Sequence, residues 1–288
     1  PGTVRGGSCR SAAVPIERRA SACDAGSMTD DGRDGDRVGS VAECRRYPVK
    51  SMQGLVVDRL EVGADAVAGD RARGVVTRDG VLLSAKQRRE LLLAAADDDG
   101  IELPNGRRFS YGDSTMAGAL SEWLGAEVEL AQPRDDHSMA YRMTFDPPDD
   151  TAELYDIPTP GGTFLDLAPL HLLTTATLDG VRRARPDLDW DVRRFRPNFV
   201  LDVEGEPFVE DGWSGRHLAV GETLVLRIDQ PTVRCAMPLR RQPGLEGEAG
   251  LYDAMVALNG EHPNHLGVYA AVCEPGPVRV GDDVRLLP

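Results

Sequence analysis

The stretch HLAVGETLVLRID, residues 217–229, decides the fold class of this chain. Two β-rich runs flank a Gly-acidic pair, which is the composition of a tight turn between two strands. The stretch RVGDDVRL, residues 279–286, repeats this arrangement. Short β runs with few helices, and no regular alternation of strand and helix, predict a small closed or half-closed β-barrel over residues 166–288.

Residues 38–131 are predicted to form a second, β-rich domain at the N-terminal side of the barrel. The pair Asp79-Gly80 lies between two apolar runs and predicts a hairpin turn. Further short strands are expected, among them one near 91–95. The spacing of apolar residues predicts one helix over 113–125, ended by a glycine.

The two remaining segments have the composition of irregular chain. Residues 1–37 are rich in Gly, Ser, Arg and Asp, and their low hydrophobicity predicts a disordered leader, in which Met28 is a candidate start. Residues 132–165 are polar and rich in proline, and we expect a linker or a functional loop. The predicted fold class is therefore α+β, mostly β.

The composition excludes several classes of partner. With 33 basic and 47 acidic residues, the net charge of −14 argues against duplex nucleic acid and anionic membrane surfaces. No stretch approaches the roughly 20 apolar residues of a membrane-spanning helix, and no signal-peptide pattern is present. A cytoplasmic protein is the expectation. Lysine occurs only at Lys50 and Lys86, so arginine supplies the other 31 (33 − 2) basic residues.

Cys235 is the leading candidate for chemistry. The five cysteines are widely spaced without a CxxC motif, which is typical of neither a disulfide framework nor a zinc site. The guanidinium of the preceding Arg234 is expected to favour the thiolate, which is a nucleophile and a soft metal ligand. Pro231 and Pro238 bracket the pair, so the strand is not expected to continue regularly through this segment. The alternative, a cysteine that serves as a small buried hydrophobe, stays open.

Several polar residues have the chemistry of an anion site. The ammonium of Lys50 followed by the hydroxyl of Ser51 suits a phosphate or another oxyanion. Arg71 follows a Gly-Asp turn, and Arg196 and Asn198 flank a proline that fixes the backbone. The ordinary interpretations, a solvated strand end, a surface guanidinium and turn chemistry, also stay open.

Eight collinear pieces together resemble the MOSC family, the domain found at the C-terminus of molybdenum cofactor sulfurases. The pieces are YPVKSMQG, GDR, FRPNFVL, PFVEDGW, LAVGETLVL, RC, LGVYAAV and PGPVRVGDDV. The first two are similar to the N-terminal β-barrel domain that accompanies the family. The resemblance covers roughly residues 38–288, and by layout it is strongest to amidoxime-reducing proteins and to bacterial proteins that detoxify N-hydroxylated bases.

The resemblance implies a role for each matching residue. Cys235 matches the cysteine whose thiolate ligates molybdenum in the reductases. The positions that line the anionic pterin of the molybdenum cofactor (molybdopterin) are Lys50, Ser51, Arg71, Thr174, Arg196 and Asn198, and Arg234 lies next to the metal ligand. The segment CAMPLRR departs from the family, whose members often carry threonines soon after the cysteine.

Two functions follow from the resemblance, and a third interpretation needs no cofactor. The first is a molybdenum-dependent oxidoreductase that reduces small N-hydroxylated compounds. Its electrons would come from a separate ferredoxin, flavodoxin or cytochrome, because the sequence has no cysteine-rich ferredoxin module. The second is a carrier that hands the cofactor, or sulfur held as a persulfide on Cys235, to a partner molybdoenzyme. The third is a β-barrel that binds another small anion. No pyridoxal-phosphate domain is expected in this chain.

Overall fold

A computed structural model describes residues 35–134, 139–143, 155–159 and 162–288. Most of the predicted leader, including Met28, lies outside the described residues, and the first strand begins at Asp36. Up to residue 159, the helix is α1 (Met116–Leu124) and the strands are β1 (Asp36–Arg46), β2 (Leu55–Val57), β3 (Arg59–Val62), β4 (Gly74–Thr77), β5 (Val81–Leu82), β6 (Ala95–Ala96), β7 (Gly100–Glu102), β8 (Arg108–Ser110), β9 (Val128–Ala131), β10 (Ala140–Met143) and β11 (Tyr155–Pro158).

The C-terminal part continues the same β-rich character. Its helices are α2 (Thr175–Ala184) and α3 (Gly250–Leu258), and its strands are β12 (Leu170–Thr174), β13 (Phe199–Val203), β14 (His217–Val220), β15 (Leu224–Val233), β16 (His265–Glu274), β17 (Gly276–Arg279) and β18 (Asp283–Leu286). Across all the described residues there are four short 3₁₀ helices, Arg89–Leu93, Val192–Arg194, Val209–Trp213 and Met237–Leu239.

Seven strands close into the predicted barrel. Their order is β13-β12-β16-β15-β14-β18-β1, and pairing of β1 with β13 closes the ring. Neighbours are antiparallel except for β12 and β13, which are parallel. Inward side chains such as Leu172, Leu201, Leu226 and Val268 are at most 1% exposed. Burying each side chain of this size contributes about 1.5–3 kcal/mol, which makes this interior the main stabilising core.

The two Gly-acidic junctions join β runs as predicted, but only one is a hairpin. At the first, β14 and β15 pair with each other across the turn. At the second, β17 pairs with β3, whereas β18 pairs with β1 and β14. The amide of Gly281, at φ 93°, donates to the carbonyl of Val41, which turns the chain from one sheet into the other.

The strand β15 continues through Pro231, but its pairing there is irregular, as predicted. The pairing with β16 shifts register between Ile228 and Gln230 and again between Pro231 and Val233. A proline has no N–H to donate to the ladder, which accounts for this irregular pairing. Arg234 and the residues after it then leave the sheet.

The N-terminal part builds its own core. A five-stranded sheet has the order β11-β10-β5-β4-β9, a second sheet has the order β6-β7-β8, and α1 packs beside them. The helix and the turn between β4 and β5 confirm the predictions for 113–125 and Asp79-Gly80. The strand expected near 91–95 is wrong, because Arg89–Leu93 is a 3₁₀ helix. Leu91 and Leu92 are both fully buried. Successive side chains of a strand point to opposite faces, so a strand could not pack both of them against the same core.

The predicted division of the chain meets two complications. By its position in the sequence, the strand β1 falls in the predicted N-terminal domain, residues 38–131, but in the structure it is one of the strands of the barrel. Within residues 132–165, β10 and β11 pair with each other, and β10 pairs with β5. The rest of that predicted linker lies partly outside the described residues, so the domain boundaries stay a prediction. No α-helix in the described part of the chain is long and apolar enough to cross a membrane.

Candidate functional site

One cavity gathers most of the candidate residues from both halves of the sequence. Lys50, Ser51, Arg71, Arg196, Asn198, Arg234 and Cys235 all line it. Within the described residues its charged lining comprises six cations and one carboxylate, namely Lys50, Arg71, Lys86, Arg194, Arg196, Arg234 and Asp166. In a chain of net charge −14, this local excess of positive charge is a focused electrostatic feature that favours an anion.

The N-terminal wall of the cavity consists of two loops bonded to each other. The amide of Lys50 donates to the carbonyl of Arg73 at 2.8 Å, and the amide of Arg71 donates to the carbonyl of Tyr47 at 2.7 Å. Ser51 and Arg71 have φ of 67° and 47°, which non-glycine residues adopt at an energetic cost. The hydroxyl oxygen of Ser51 accepts the amide of Ala85 at 2.9 Å, and this bond fixes a third loop to the wall.

The ring of Tyr47 holds two guanidinium groups. Arg71 and Arg196 lie 4.7 Å and 4.2 Å from its centroid. The tyrosine is anchored by its hydroxyl, which donates to the carbonyl of Pro197 at 3.1 Å. Arg71 is also paired with the buried carboxylate of Asp70. Cation–π contacts and the ion pair therefore offset the repulsion between two neighbouring cations.

The guanidinium of Arg196 has an unused donor. Its Nη1 donates to the carbonyl of Met52 at 2.7 Å, whereas its buried Nη2 has no partner in the described part of the chain. Burial, and then the charge of Arg71, lower the pKa of Arg196 to about 10. A buried cation with an unsatisfied N–H is costly, and an anion in the cavity would supply the missing acceptor.

Two lysines share one carboxylate on another side of the cavity. The Nζ of Lys50 lies 2.7 Å from Asp166 Oδ1 and also donates to the carbonyl of Phe164 at 2.6 Å. The Nζ of Lys86 lies 3.8 Å from Asp166 Oδ2. Burial alone would raise the pKa of Asp166, but Lys50 and Lys86 outweigh it and hold that pKa well below its usual range. Asp166 is therefore ionised at neutral pH.

The peptide that carries Cys235 is clamped from the neighbouring strand. The amide of Arg234 donates to the carbonyl of Asn264 at 2.9 Å, and the side-chain amide of Asn264 donates back to the carbonyl of Arg234 at 2.7 Å. Asn264 has a φ of 61°. The guanidinium of Arg234 donates to the carbonyl of Phe195 at 2.8 Å. Cys235 itself is a free, partly exposed thiol, so the interpretation as a buried hydrophobe does not fit its position.

Asn198 and Thr174 have structural partners. Asn198 links the start of β13 to β12, because its side-chain Oδ1 accepts the backbone amide of His171 at 3.2 Å and its backbone amide donates to the carbonyl of His171 at 2.7 Å. The structure does not bring Thr174 to the cavity. Its hydroxyl caps α2 by accepting the amide of Thr177 at 3.1 Å, and it donates to Glu210 at 2.8 Å.

The sequence analysis missed six polar residues of the lining: Ser84, Lys86, Asp166, His171, Arg194 and Tyr269. His171 is neutral, because burial and the nearby charge of Arg234 hold its pKa well below the usual range. Burial raises the pKa of Tyr269 to about 12. Only Lys86 carried a signal in the sequence, as one of the two lysines among 33 basic residues.

Comparisons with known proteins agree with this geometry. Residues 161–285 match the MOSC domain family. The chain is 25% identical to mitochondrial amidoxime-reducing component 1 of Homo sapiens, with 87% of this chain and 84% of that protein covered. It is 24% identical to the protein of the same name from Mus musculus, with 87% and 83% covered.

Among solved structures, the YUAD protein from Bacillus subtilis matches with a TM-score of 0.41 and 10% identity, over 86% of this chain and 95% of that one. YiiM from Geobacillus stearothermophilus matches with a TM-score of 0.33 and 16% identity, over 42% and 55%. The match to the MOSC domain family thus covers residues 161–285, the segment that carries most strands of the barrel.

Proposed function

We propose that the chain binds the molybdenum cofactor in this cavity and reduces N-hydroxylated compounds, with Cys235 as the protein ligand of the metal. The observation that carries the proposal is the set of six cations and one carboxylate that surrounds a partly exposed free thiol. The name of the matching relatives, amidoxime-reducing component, indicates the same substrate class.

The residues present fit an anionic pterin. The buried Nη2 of Arg196 and the buried Nε of Arg234 have no acceptor among the described residues, and a phosphate-bearing ligand would provide one. Arg71 and Arg196 would hold the negative charge, and Lys50 would add a third cation. Ser51 and Asn198 act indirectly, because their side chains accept backbone amides and thereby fix the loops that form the wall.

When bound, the cofactor supplies a centre that accepts two electrons and takes up an oxygen atom. The overall reaction is R–NHOH + 2 e⁻ + 2 H⁺ → R–NH₂ + H₂O, in which the N–O bond breaks and the oxygen leaves as water. The electrons would come from a separate carrier protein of the ferredoxin, flavodoxin or cytochrome type. We propose a cytoplasmic location for this activity.

Molybdenum and pterin content test the proposal directly. The full chain is expressed in a cofactor-competent host as wild type, Cys235→Ala and Cys44→Ala. We expect metal in the wild type and in Cys44→Ala, and loss of metal in Cys235→Ala. Cys44 is the matched control, because it is a free thiol that is fully buried and whose pKa is raised by burial to about 12. Wild-type protein without molybdenum would overturn the proposal.

One observation favours a second candidate, a carrier of sulfur. The thiol of Cys235 is partly exposed at the cavity lining, so a partner could reach a persulfide formed on it. Intact mass spectrometry of freshly purified protein would then show the addition of one sulfur atom, which Cys235→Ala lacks. If the purified protein reduces an N-hydroxylated compound when electrons are supplied, the reductase is favoured over the sulfur carrier.

A further inference from the structure

Both lysines of this chain face the same cavity, although arginine outnumbers lysine by 31 to 2. They share the carboxylate of Asp166 and the ring of Tyr141, whose centroid lies 5.8 Å from each ammonium. Their hydrogen bonding differs. Lys50 donates to Phe164 and Asp166, whereas Lys86 makes no hydrogen bond among the described residues.

The backbone around Lys86 is fixed, so its position does not depend on a mobile loop. The amide of Ala85 donates to the hydroxyl of Ser51 at 2.9 Å. The amides of Gln87 and Arg88 both donate to the carbonyl of Ser84, at 3.1 Å and 2.8 Å. The side chain of Lys86 is 16% exposed. It therefore reaches the cavity from a rigid turn with its three N–H donors still available.

Asp166 stabilises the positive charge of Lys86 without accepting a hydrogen bond from its ammonium group. Asp166 lies 3.8 Å away, beyond hydrogen-bond distance, but close enough to stabilise the ammonium electrostatically. Arginine would present a planar fork that matches the carboxylate in a bidentate pair, whereas lysine offers a compact charge with rotatable donors. Such a group suits a single oxygen that arrives only when a ligand binds.

We propose that Lys86 binds a negatively charged oxygen of the substrate beside Cys235, and that the preferred substrates are N-oxygenated compounds that carry an anionic group. This inference rests on the proposed function and specifies its substrate class. Lys86 and Cys235 line the same cavity. The lysine is distinct from the arginine pair on Tyr47 that would hold the cofactor.

Two alkylating reagents that differ in charge test this role at Cys235. Iodoacetate is anionic and iodoacetamide is neutral, so the ratio of their rates reports charge recognition and cancels changes in the nucleophilicity of the thiol. Rates are measured on the full chain without cofactor, and peptide mapping confines the readout to Cys235. The variants are Lys86→Met, Lys86→Arg and the control Arg78→Met, which removes a cation whose side chain is 82% exposed.

We expect the iodoacetate-to-iodoacetamide ratio to fall about tenfold in Lys86→Met, as expected for the loss of one nearby charge in a partly buried site. The ratio should fall less in Lys86→Arg, which keeps the charge but can pair with Asp166, and it should be unchanged in Arg78→Met. An unchanged ratio in Lys86→Met would overturn the inference. In molybdenum-loaded protein, Lys86→Met should raise KM for a carboxylate-bearing N-hydroxy compound and leave KM for a neutral one unchanged.

The outcomes separate this inference from the proposed function. If the wild type contains molybdenum and Lys86→Met has an unchanged alkylation ratio, the cofactor proposal stands and the role of Lys86 is refuted. If the wild type lacks molybdenum but the alkylation ratio falls in Lys86→Met, the cofactor proposal is refuted and the anion site at Lys86 stands.

Discussion

Replacing Arg196 by methionine tests whether the cavity is built to bind an anion. Arg196 is 7% exposed, and its pKa is lowered to about 10 by burial and by Arg71. At pH 7 the guanidinium is protonated in the folded and the unfolded chain, so the lowered pKa is a constant cost to the folded state. Each unit by which the pKa is lowered corresponds to about 1.4 kcal/mol, so that cost is roughly 3 kcal/mol.

The substitution removes this cost but also loses a hydrogen bond. The carbonyl of Met52, which accepts from Arg196, would be left unpaired at a cost of about 1–3 kcal/mol. The two effects nearly cancel, so we expect Arg196→Met to unfold within about 1 kcal/mol of wild type in phosphate-free buffer.

Arg194 is the matched control, because it is a buried arginine in the same segment whose Nη1 and Nη2 both have acceptors. It is 1% exposed and donates to the carbonyls of Pro238, Arg240 and Glu246 and to the carboxylate of Asp189. Breaking such a buried network costs about 3–5 kcal/mol, which is the loss we expect for Arg194→Met.

Urea unfolding at pH 7, with and without inorganic phosphate, measures both effects. Phosphate at ten times its Kd should stabilise the wild type by about 1.4 kcal/mol, and Arg196→Met should gain much less. Two results would refute the reasoning: a loss in Arg196→Met as large as in Arg194→Met, or equal stabilisation of wild type and Arg196→Met by phosphate.

Three further substitutions test other contacts. Asn264→Asp should cost about 2 kcal/mol more in urea unfolding than Asn264→Gly, because glycine tolerates a φ of 61° while aspartate sets a carboxylate against the carbonyl of Arg234. Burial raises the pKa of Glu210, so protonated Glu210 stabilises the folded chain at acid pH, and this stabilisation is lost as the pH rises through the folded-state pKa. The free energy of unfolding of Glu210→Gln should therefore increase relative to that of wild type between acid and neutral pH. A difference that does not change with pH would contradict this. Thr174→Ala should lower stability by about 1–2 kcal/mol through loss of the helix cap, with unchanged molybdenum content and with recovery in Thr174→Ser.

The sequence was sufficient to predict the barrel because its strands carry local signals. Residues 217–229 contain two strands and the turn between them, and this hairpin appears as predicted. The closure of the ring depends instead on β1, which lies far from its partners β13 and β18 along the chain. No local pattern encodes that pairing, so the sequence could predict a barrel but not which strand closes it.

The candidate site was predictable where a residue's chemistry outweighs local structure. Arg196 and Cys235 fall in irregular segments with no regular role for their side chains, and both reach the cavity. Thr174 lies at a strand–helix junction, where a hydroxyl is the ordinary helix cap, and that local role explains its position. Asp166 and His171 line the cavity through the path of the chain into β12, which the sequence does not reveal.

The backbone strain and the unsatisfied donor have one explanation. Among the described residues, five non-glycine residues have positive φ, and three of them, Ser51, Arg71 and Arg196, line the cavity. Each such residue costs of order 1 kcal/mol or more, and two of the three, Arg71 and Arg196, are cations that repel one another. A fold optimised for stability alone would place glycine at these turns and acceptors beside these charges. The unpaired donor and the repulsion between the cations lie where an anion would relieve them, so binding of an anion would recover this part of the cost.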